Sequence, residues 1–316
     1  MQKGLKRKDL LGLKDIEREE IELLLETAFS MKEVLKRPIK KIPTLRGKTI
    51  CFMFFEPSTR TRSSFELAAK RLSSDTINVS SSQSALLKGE TVLDTMLNVD
   101  AMGIDAFVVR HSSSGLPHFL AKHTNASVIN AGDGMHEHPT QALLDMMTMM
   151  EKFGKLEGLR VLIAGDIRHS RVARSNIYGL LKMGAEVRLF GPPPLVPREF
   201  EKLGAKVFYD KKKALSDVDV VMGLRIQKER LKESFFPTLR EYRKFFAITP
   251  EDIGKLSDRV LIMHPGPVNW GVEMDYDIIK EKNNVILEQV TNGVAVRMSV
   301  LYHLVSGEKQ DEETVN

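Results

Sequence analysis

The sequence predicts an α/β protein: two doubly wound parallel-sheet domains joined by two crossing helices. Three observations predict it. Short β-rich apolar runs recur in two series, helix-length segments lie between most of them, and 316 residues are long for a single core.

In chain order, Asp15 can cap a first helix, with Glu17, Glu19 and Glu20 in its first turn and Ile21, Leu24, Leu25 and Ala28 on one face. The first series of strands is then 50–55, 76–79, 106–109 and 127–129, with a helix over 64–72. The run "HPTQALLDMMTMMEKFGKLEG" separates the two series. Pro139 suits the first helical position and Gly154 and Gly158 mark the exit, so this helix is the expected connector. The second series is 160–164, 186–190, 206–209, 219–222 and 260–263, with a helix over 174–182. A final helix over 293–305 is the natural second crossing. The expected domains are 1–138 plus 293–316, and 139–292.

Composition narrows the class. A 42% hydrophobic share can fill two cores, and 28% charged residues mark a soluble surface. No apolar run reaches about 18 residues, so no membrane span is expected. Asp9, Asp15 and Glu17 arrive before any signal-peptide core, and a cytoplasmic location is expected. The single cysteine, Cys51, rules out an internal disulfide and reads as a buried thiol. Net charge is +5 with both signs interspersed, and Lys211 to Lys213 read as a solvated face; nucleic acid is not expected as a partner. The excess can instead gather where small anions bind.

In open α/β sheets ligands sit beyond the carboxyl ends of strands, so the polar segments there are the ones to search. The most informative is "FFEPSTRTRSSFE", residues 54–66. Helix-capping chemistry accounts for its Ser and Thr but not for Arg60 and Arg62. An anion site accounts for all of them: a helix N-terminus offers unpaired N–H donors, Ser58, Thr59 and Thr61 add hydroxyls, and Arg60 adds a bidentate grip. The capping-box pattern Ser63-Ser64-Phe65-Glu66 would instead start the helix later. The stretch lacks the glycines and Gly-Lys-Ser/Thr of a Walker loop, and "GDIRHS" lacks the glycines of a dinucleotide turn. His136-Glu137-His138 invites a metal reading, but no further ligands follow at characteristic spacing, so no metal is expected.

With its Ser-Thr-Arg-Thr at 58–61, the chain resembles the aspartate/ornithine carbamoyltransferase family. Other segments follow in the family's order over nearly the whole chain: "SALLKGET" with Ser84 and Lys88, "VVRHSSSG" with Arg110, "HEHPTQALLD" with His138 and Gln141, "GDIRHSRVARS" with Arg171, "LRIQKER" with Arg225 and Gln227, and "HPGPVNWGVE" with Pro265, Gly266 and Pro267. His-Pro-Thr-Gln, Arg-Ile-Gln-Lys-Glu-Arg and His-Pro-Gly-Pro look like the catalytic chains of the aspartate branch. The ornithine branch typically shows His-Pro-Cys-Gln, Asp-x-x-x-Ser-Met-Gly and His-Cys-Leu-Pro. Charge logic agrees, because a dicarboxylate wants two arginine forks and Arg171 and Arg225 can supply them, while ornithine's ammonium would be repelled. Glu229 is spaced to orient Arg225 if the segment is helical. Trp270 departs from the family, standing where many relatives carry arginine.

The resemblance implies transfer of the carbamoyl group of carbamoyl phosphate to L-aspartate, a step toward pyrimidines, with no metal or organic cofactor. The alternative is a carbamoyltransferase for another amine such as ornithine. It implies that Ser58, Thr59, Arg60, Thr61 and Arg110 hold the phosphate, with Thr61, Arg110 and His138 on the carbamoyl oxygen. Gln141, Gly266 and Pro267 complete the carbamoyl phosphate site. Arg171, Arg225 and Gln227 hold aspartate. His138, beside Pro139 at a helix start, is expected neutral, and the bond before Pro267 is compatible with cis. Ser84 and Lys88 are implied to reach into a neighbouring chain's site, making a homotrimer, with residues 234–246 the expected moving loop. Relatives also associate with dihydroorotase or with regulatory chains.

Overall fold

The computed structural model describes residues 5–80, 89–226 and 238–306. Ser84, Lys88, Gln227 and Glu229 therefore lie outside the described residues, as does part of the expected moving loop.

The chain runs α1 (Arg18–Lys36), β1 (Thr49–Phe54), α2 (Thr59–Arg71), β2 (Asp75–Ser80), α3 (Val92–Asp100), β3 (Ala106–His111), α4 (Leu116–Leu120), β4 (Ser127–Asp133) and α5 (Pro139–Phe153). It continues β5 (Arg160–Ala164), α6 (Arg171–Lys182), β6 (Glu186–Phe190), β7 (Lys206–Phe208), α7 (Lys211–Leu215), β8 (Val220–Gly223), α8 (Leu239–Phe246), α9 (Pro250–Ile253), β9 (Leu261–Met263) and α10 (Ile286–Val305). The described strands form two sheets, ordered β2-β1-β3-β4 and β7-β6-β5-β8-β9. Every pairing within them is parallel. Such strands are covered on both faces, which is why β1, β3, β4, β5 and β8 read as near-continuous buried runs rather than alternating ones.

In each sheet the chain order reverses beside a central strand, so both sheets are doubly wound. Their carboxyl ends carry the loops after β1, β3 and β4, and after β5, β8 and β9. Helix α5 leaves the first sheet and leads into the second. Helix α10 returns after β9 and packs on α1, α2 and α5. The interior between these helices is filled by Leu24, Leu25, Leu143, Met147, Val300 and Leu301 among others. Cys51 is buried, and burial pushes its thiol up to about 12, so it stays protonated at neutral pH. Among the described residues no helix is long and apolar enough to cross a membrane.

Several boundaries differ from the sequence expectation. Helix α1 begins at Arg18 rather than after Asp15, because Glu17 and Glu20 close a reciprocal capping box. Helix α2 begins at Thr59, not at Ser64, so the later capping-box pattern is not used. Helix α10 starts at Ile286, about two turns before Gly293. Asn284 prepares that start by accepting from the Ile286 N–H. Trp270 lies edge-on to Tyr276, with centroids 5.6 Å apart, against the core of the second sheet.

Candidate active site

Strand β1 is buried from Ile50 to Phe54 and ends beside β3, whose Arg110 carbonyl accepts from Phe55 N–H at 2.9 Å. The chain then turns through Glu56, Pro57 and Ser58, and the first turn of α2 carries Thr59, Arg60 and Thr61. The N-cap residue Ser58 makes no side-chain capping bond, so it leaves the leading N–H groups of the helix available, and no acidic residue occupies its first turn. The arrangement is an anion-binding helix start. Burial and the nearby Arg225 cation lower the Arg60 pKa. Arg60, which follows a first-sheet strand, and Arg225, which follows β8 of the second, thus share one electrostatic environment.

Arg110 near the end of β3 donates from Nη1 to the Ala131 carbonyl at 3.0 Å, and its Nε lies 3.5 Å from Glu56 Oε2. Arg171, the first residue of α6, donates from Nη2 to the same Glu56 oxygen at 2.8 Å. Both guanidinium groups crowd Gly132 on β4. A Cβ there would stand 3.0 Å from Arg110 Nη1 and from Arg171 Nε, and the residue's φ is +114°. A side chain at 132 would be strained and would displace both arginines.

His138 immediately precedes Pro139 at the start of α5 and is 4% exposed. Its N–H donates to Ser175 Oγ at 2.8 Å, and that hydroxyl donates to Glu137 at 2.8 Å. Burial, reinforced by Arg110, Arg171 and Arg297, holds the imidazole well below its ordinary range, so it is neutral at physiological pH. Its Nδ1 has no hydrogen-bond partner among the described residues. The neighbouring residues diverge. Glu137 turns to the Leu13 and Lys14 backbone N–H groups, at 2.7 and 3.3 Å. His136 turns to Asp133. The three consecutive residues therefore do not converge on one ion.

The loop after β9 closes the site. His264 is buried, and its Nδ1 accepts from Gly266 N–H at 2.8 Å. The Gly266–Pro267 bond is cis. Gly266 has φ +67°, and a Cβ on it would lie 3.4 Å from the Arg60 Cζ. Burial lowers the His264 pKa, with Glu273 opposing and Arg60 and Arg225 assisting.

One buried network ties these parts together. Asp145 on α5 accepts from Gln141 Nε2 at 3.0 Å, Gln289 Nε2 at 2.7 Å and Asn176 Nδ2 at 2.8 Å. Gln289 Oε1 in turn accepts from His264 N–H at 2.9 Å. Burial raises the Asp145 pKa to about 6. Arg297, over the Phe65 ring at 5.0 Å, is the nearby cation.

Among the described residues, Ser58, Thr59, Arg60 and Thr61, Arg110, His138, Gln141, Arg171, Arg225, Gly266 and Pro267 all fall at the carboxyl ends of the two sheets or on the helices leading from them. Sequence reasoning missed Glu56, Asp145, Gln289 and Arg297. Asp145 had a legible signal, four residues after Gln141 on one helix face. Glu56 stood inside the quoted motif, but its partner Arg171 lies 115 residues away. Such a site holds several arginines, a neutral imidazole and a helix N-terminus. It can bind two anions side by side and stabilise negative charge growing between them.

Comparison with known proteins gives the same direction. Residues 8–151 match the family model for the aspartate/ornithine carbamoyltransferase carbamoyl-P binding domain. Residues 157–304 match that for the Asp/Orn binding domain. The aspartate carbamoyltransferase catalytic subunit of Halothermothrix orenii is 57% identical, covering 98% of this chain and 99% of its own. The ornithine carbamoyltransferase of Pyrococcus furiosus superposes with a TM-score of 0.85 at 30% identity, over 97% of this chain and 100% of its own. Aspartate transcarbamoylase from Trypanosoma cruzi, in complex with carbamoyl phosphate and aspartate, gives 0.84 at 25% identity, over 95% and 98%.

Proposed function

The chain belongs to the aspartate/ornithine carbamoyltransferase family, and from that premise we propose that it transfers the carbamoyl group of carbamoyl phosphate to the amine of L-aspartate. The products are N-carbamoyl-L-aspartate and phosphate. The observation that carries the reading is the buried, neutral His138 ringed by Arg110, Arg171 and Arg297. A neutral imidazole donates a hydrogen bond to a growing oxyanion without competing for a proton, while the arginines supply the charge.

The α2 N-terminus, with Ser58, Thr59, Arg60 and Thr61, holds the phosphate together with Arg110. Thr61, Arg110 and His138 face the carbamoyl oxygen. Gln141 and the backbone at Gly266 and Pro267 orient the carbamoyl amide. Arg171 and Arg225, with Gln227, grip the two carboxylates of aspartate. The aspartate nitrogen attacks the carbamoyl carbon, the C–O bond to phosphate breaks, and the departing phosphate takes the amine proton. Binding both reactants in one cationic cleft converts a meeting of two anions into an intramolecular step. Ser84 and Lys88 complete the site from a neighbouring chain, in a cytoplasmic homotrimer.

Ureido product formation from carbamoyl phosphate, with L-aspartate or L-ornithine offered in parallel, tests the reading. Product with aspartate alone is expected. Product with ornithine instead overturns the assignment of Arg171 and Arg225. The trimer is tested by mixing Arg60→Ala and Lys88→Ala chains. Activity recovered from two inactive parents supports shared sites, and none after proven subunit exchange rejects them.

A further inference from the structure

His118, Asp133 and His136 come from α4, the end of β4 and the loop before α5. Each offers one ligand atom, and these atoms lie within 4.8 Å of one another. His136 Nδ1 is 3.0 Å from Asp133 Oδ2. The two imidazoles meet edge-on, with centroids 5.3 Å apart. His118 Nδ1 is buried and has no hydrogen-bond partner among the described residues. A buried imidazole nitrogen left unpaired is costly, and a ligated ion would remove that cost.

Asp133 is already oriented from behind. Its Oδ1 accepts from Asn130 Nδ2 at 2.8 Å and from Glu137 N–H at 3.0 Å, and its Oδ2 accepts from Gly115 N–H at 2.6 Å. Outer hydrogen bonds of this kind fix the direction of a ligating carboxylate. Beside the cluster lies a cavity of about 240 Å³, lined by Asp9, Asp15, His118, His136 and Glu137 among others. Two of the cations that line it are paired, Arg7 with Glu20 and Lys8 with Asp9, and Lys14 lines it as well.

We propose that His118, Asp133 and His136 bind a first-row divalent transition ion such as zinc, with solvent from the adjoining cavity as the remaining ligand. Two imidazoles and one carboxylate suit that class, whereas magnesium and calcium prefer oxygen-only surroundings. The site is distinct from the arginine cleft: His136 pairs with Asp133, whereas Arg110, Arg171 and Arg297 are the charges that act on His138. An ion here joins α4 to the segment that ends on His138, so its role is to hold that segment. It does not touch substrate. The sequence predicts no metal because no further ligands follow His136 at characteristic spacing, and these ligands meet only through the pairing of β3 with β4.

The test uses the full-length untagged chain, stripped with chelator and then titrated with Zn²⁺ by calorimetry and with Co²⁺ by visible absorption. One ion per chain is expected, with micromolar or tighter affinity, intense low-coordination Co²⁺ bands and a raised thermal midpoint. His118→Ala and His136→Ala should each weaken binding at least about tenfold, while His123→Ala leaves it unchanged. Circular dichroism and ureido product formation verify that the variants remain folded. Millimolar affinity, a stoichiometry other than one, or undiminished binding in both ligand variants overturns the proposal. These readouts do not depend on which amine the enzyme carbamoylates.

Discussion

The two sheets contribute to the site in different ways. On the first, the donors are local: β1 ends, the chain turns, and Thr59, Arg60 and Thr61 stand in the first turn of α2. On the second, Arg171 leads α6, but its guanidinium is held by Glu56, which follows β1 of the other sheet. The His264 loop is likewise tied, through Gln289, to Asp145 on the connecting helix α5. An anion cradle can thus be written into a dozen consecutive residues, whereas a second-substrate site between two sheets must borrow orientation from afar. This separates substitutions that remove chemistry from those that misalign it.

The largest expected effect is on the local half. Arg60→Ala removes the cation proposed to bind the phosphate and should lower kcat about 10³-fold, with aspartate KM little changed. A loss confined to aspartate KM would reverse the assignment of the halves.

Next is the borrowed orientation. Glu56→Gln leaves Arg171 without its carboxylate, while Arg110 keeps the Ala131 carbonyl. Aspartate kcat/KM should fall about 30-fold, or ~2 kcal/mol, and kcat/KM for carbamoyl phosphate by less. Equal losses for both substrates in steady-state kinetics would mean that Glu56 serves the cleft as a whole.

The bridge between the halves gives a pH signature. With its pKa raised to about 6, Asp145 contributes stability that is present below the unfolded value of roughly 3.9 and lost as pH rises through 6. Relative to Asp145→Asn, the native chain should therefore lose up to about 3 kcal/mol between pH 4 and 7, read by urea titration at each pH. A constant difference would mean that the carboxyl titrates normally.

His138 and His264 give the smallest effect, of the opposite sign. Each is held neutral, so stability is fully present above about pH 6.5 and falls as acid protonates the unfolded chain first. Each contributes at most ~1.4 kcal/mol per pH unit. His138→Gln should flatten the acid limb more than His264→Gln, because Glu273 partly offsets the shift at His264. The reverse order would mean that Glu273 shields His264 less than the geometry implies.

Legibility followed the same division. The parallel α/β class was readable because buried strands are uniformly apolar and helices between them are periodic. The connector helix was readable because Pro139 opens it and Gly154 ends it in the left-handed conformation. The start of α10 was not: Ile286 to Asn292 carry Glu288 and Gln289, and only burial against α5 explains why Gln289 points inward. Glu56 was visible but uninterpretable without Arg171 beside it.

By itself the sequence determined the two parallel sheets, the position of a cationic, hydroxyl-rich helix start after β1 and the kinds of side chain available for two anions. Each depends on neighbours within a turn or a strand, where backbone geometry alone brings groups together. Tertiary structure decided the rest. It set Arg60 beside Arg225 and stripped solvent from His138 so that it stays neutral. It threaded Gln141, Asp145, Gln289 and His264 into one buried network, and it brought His118 to Asp133 and His136. The physical reason is that charge, desolvation and hydrogen bonding act over a few ångströms, and only the packed sheets and helices bring distant residues within that range.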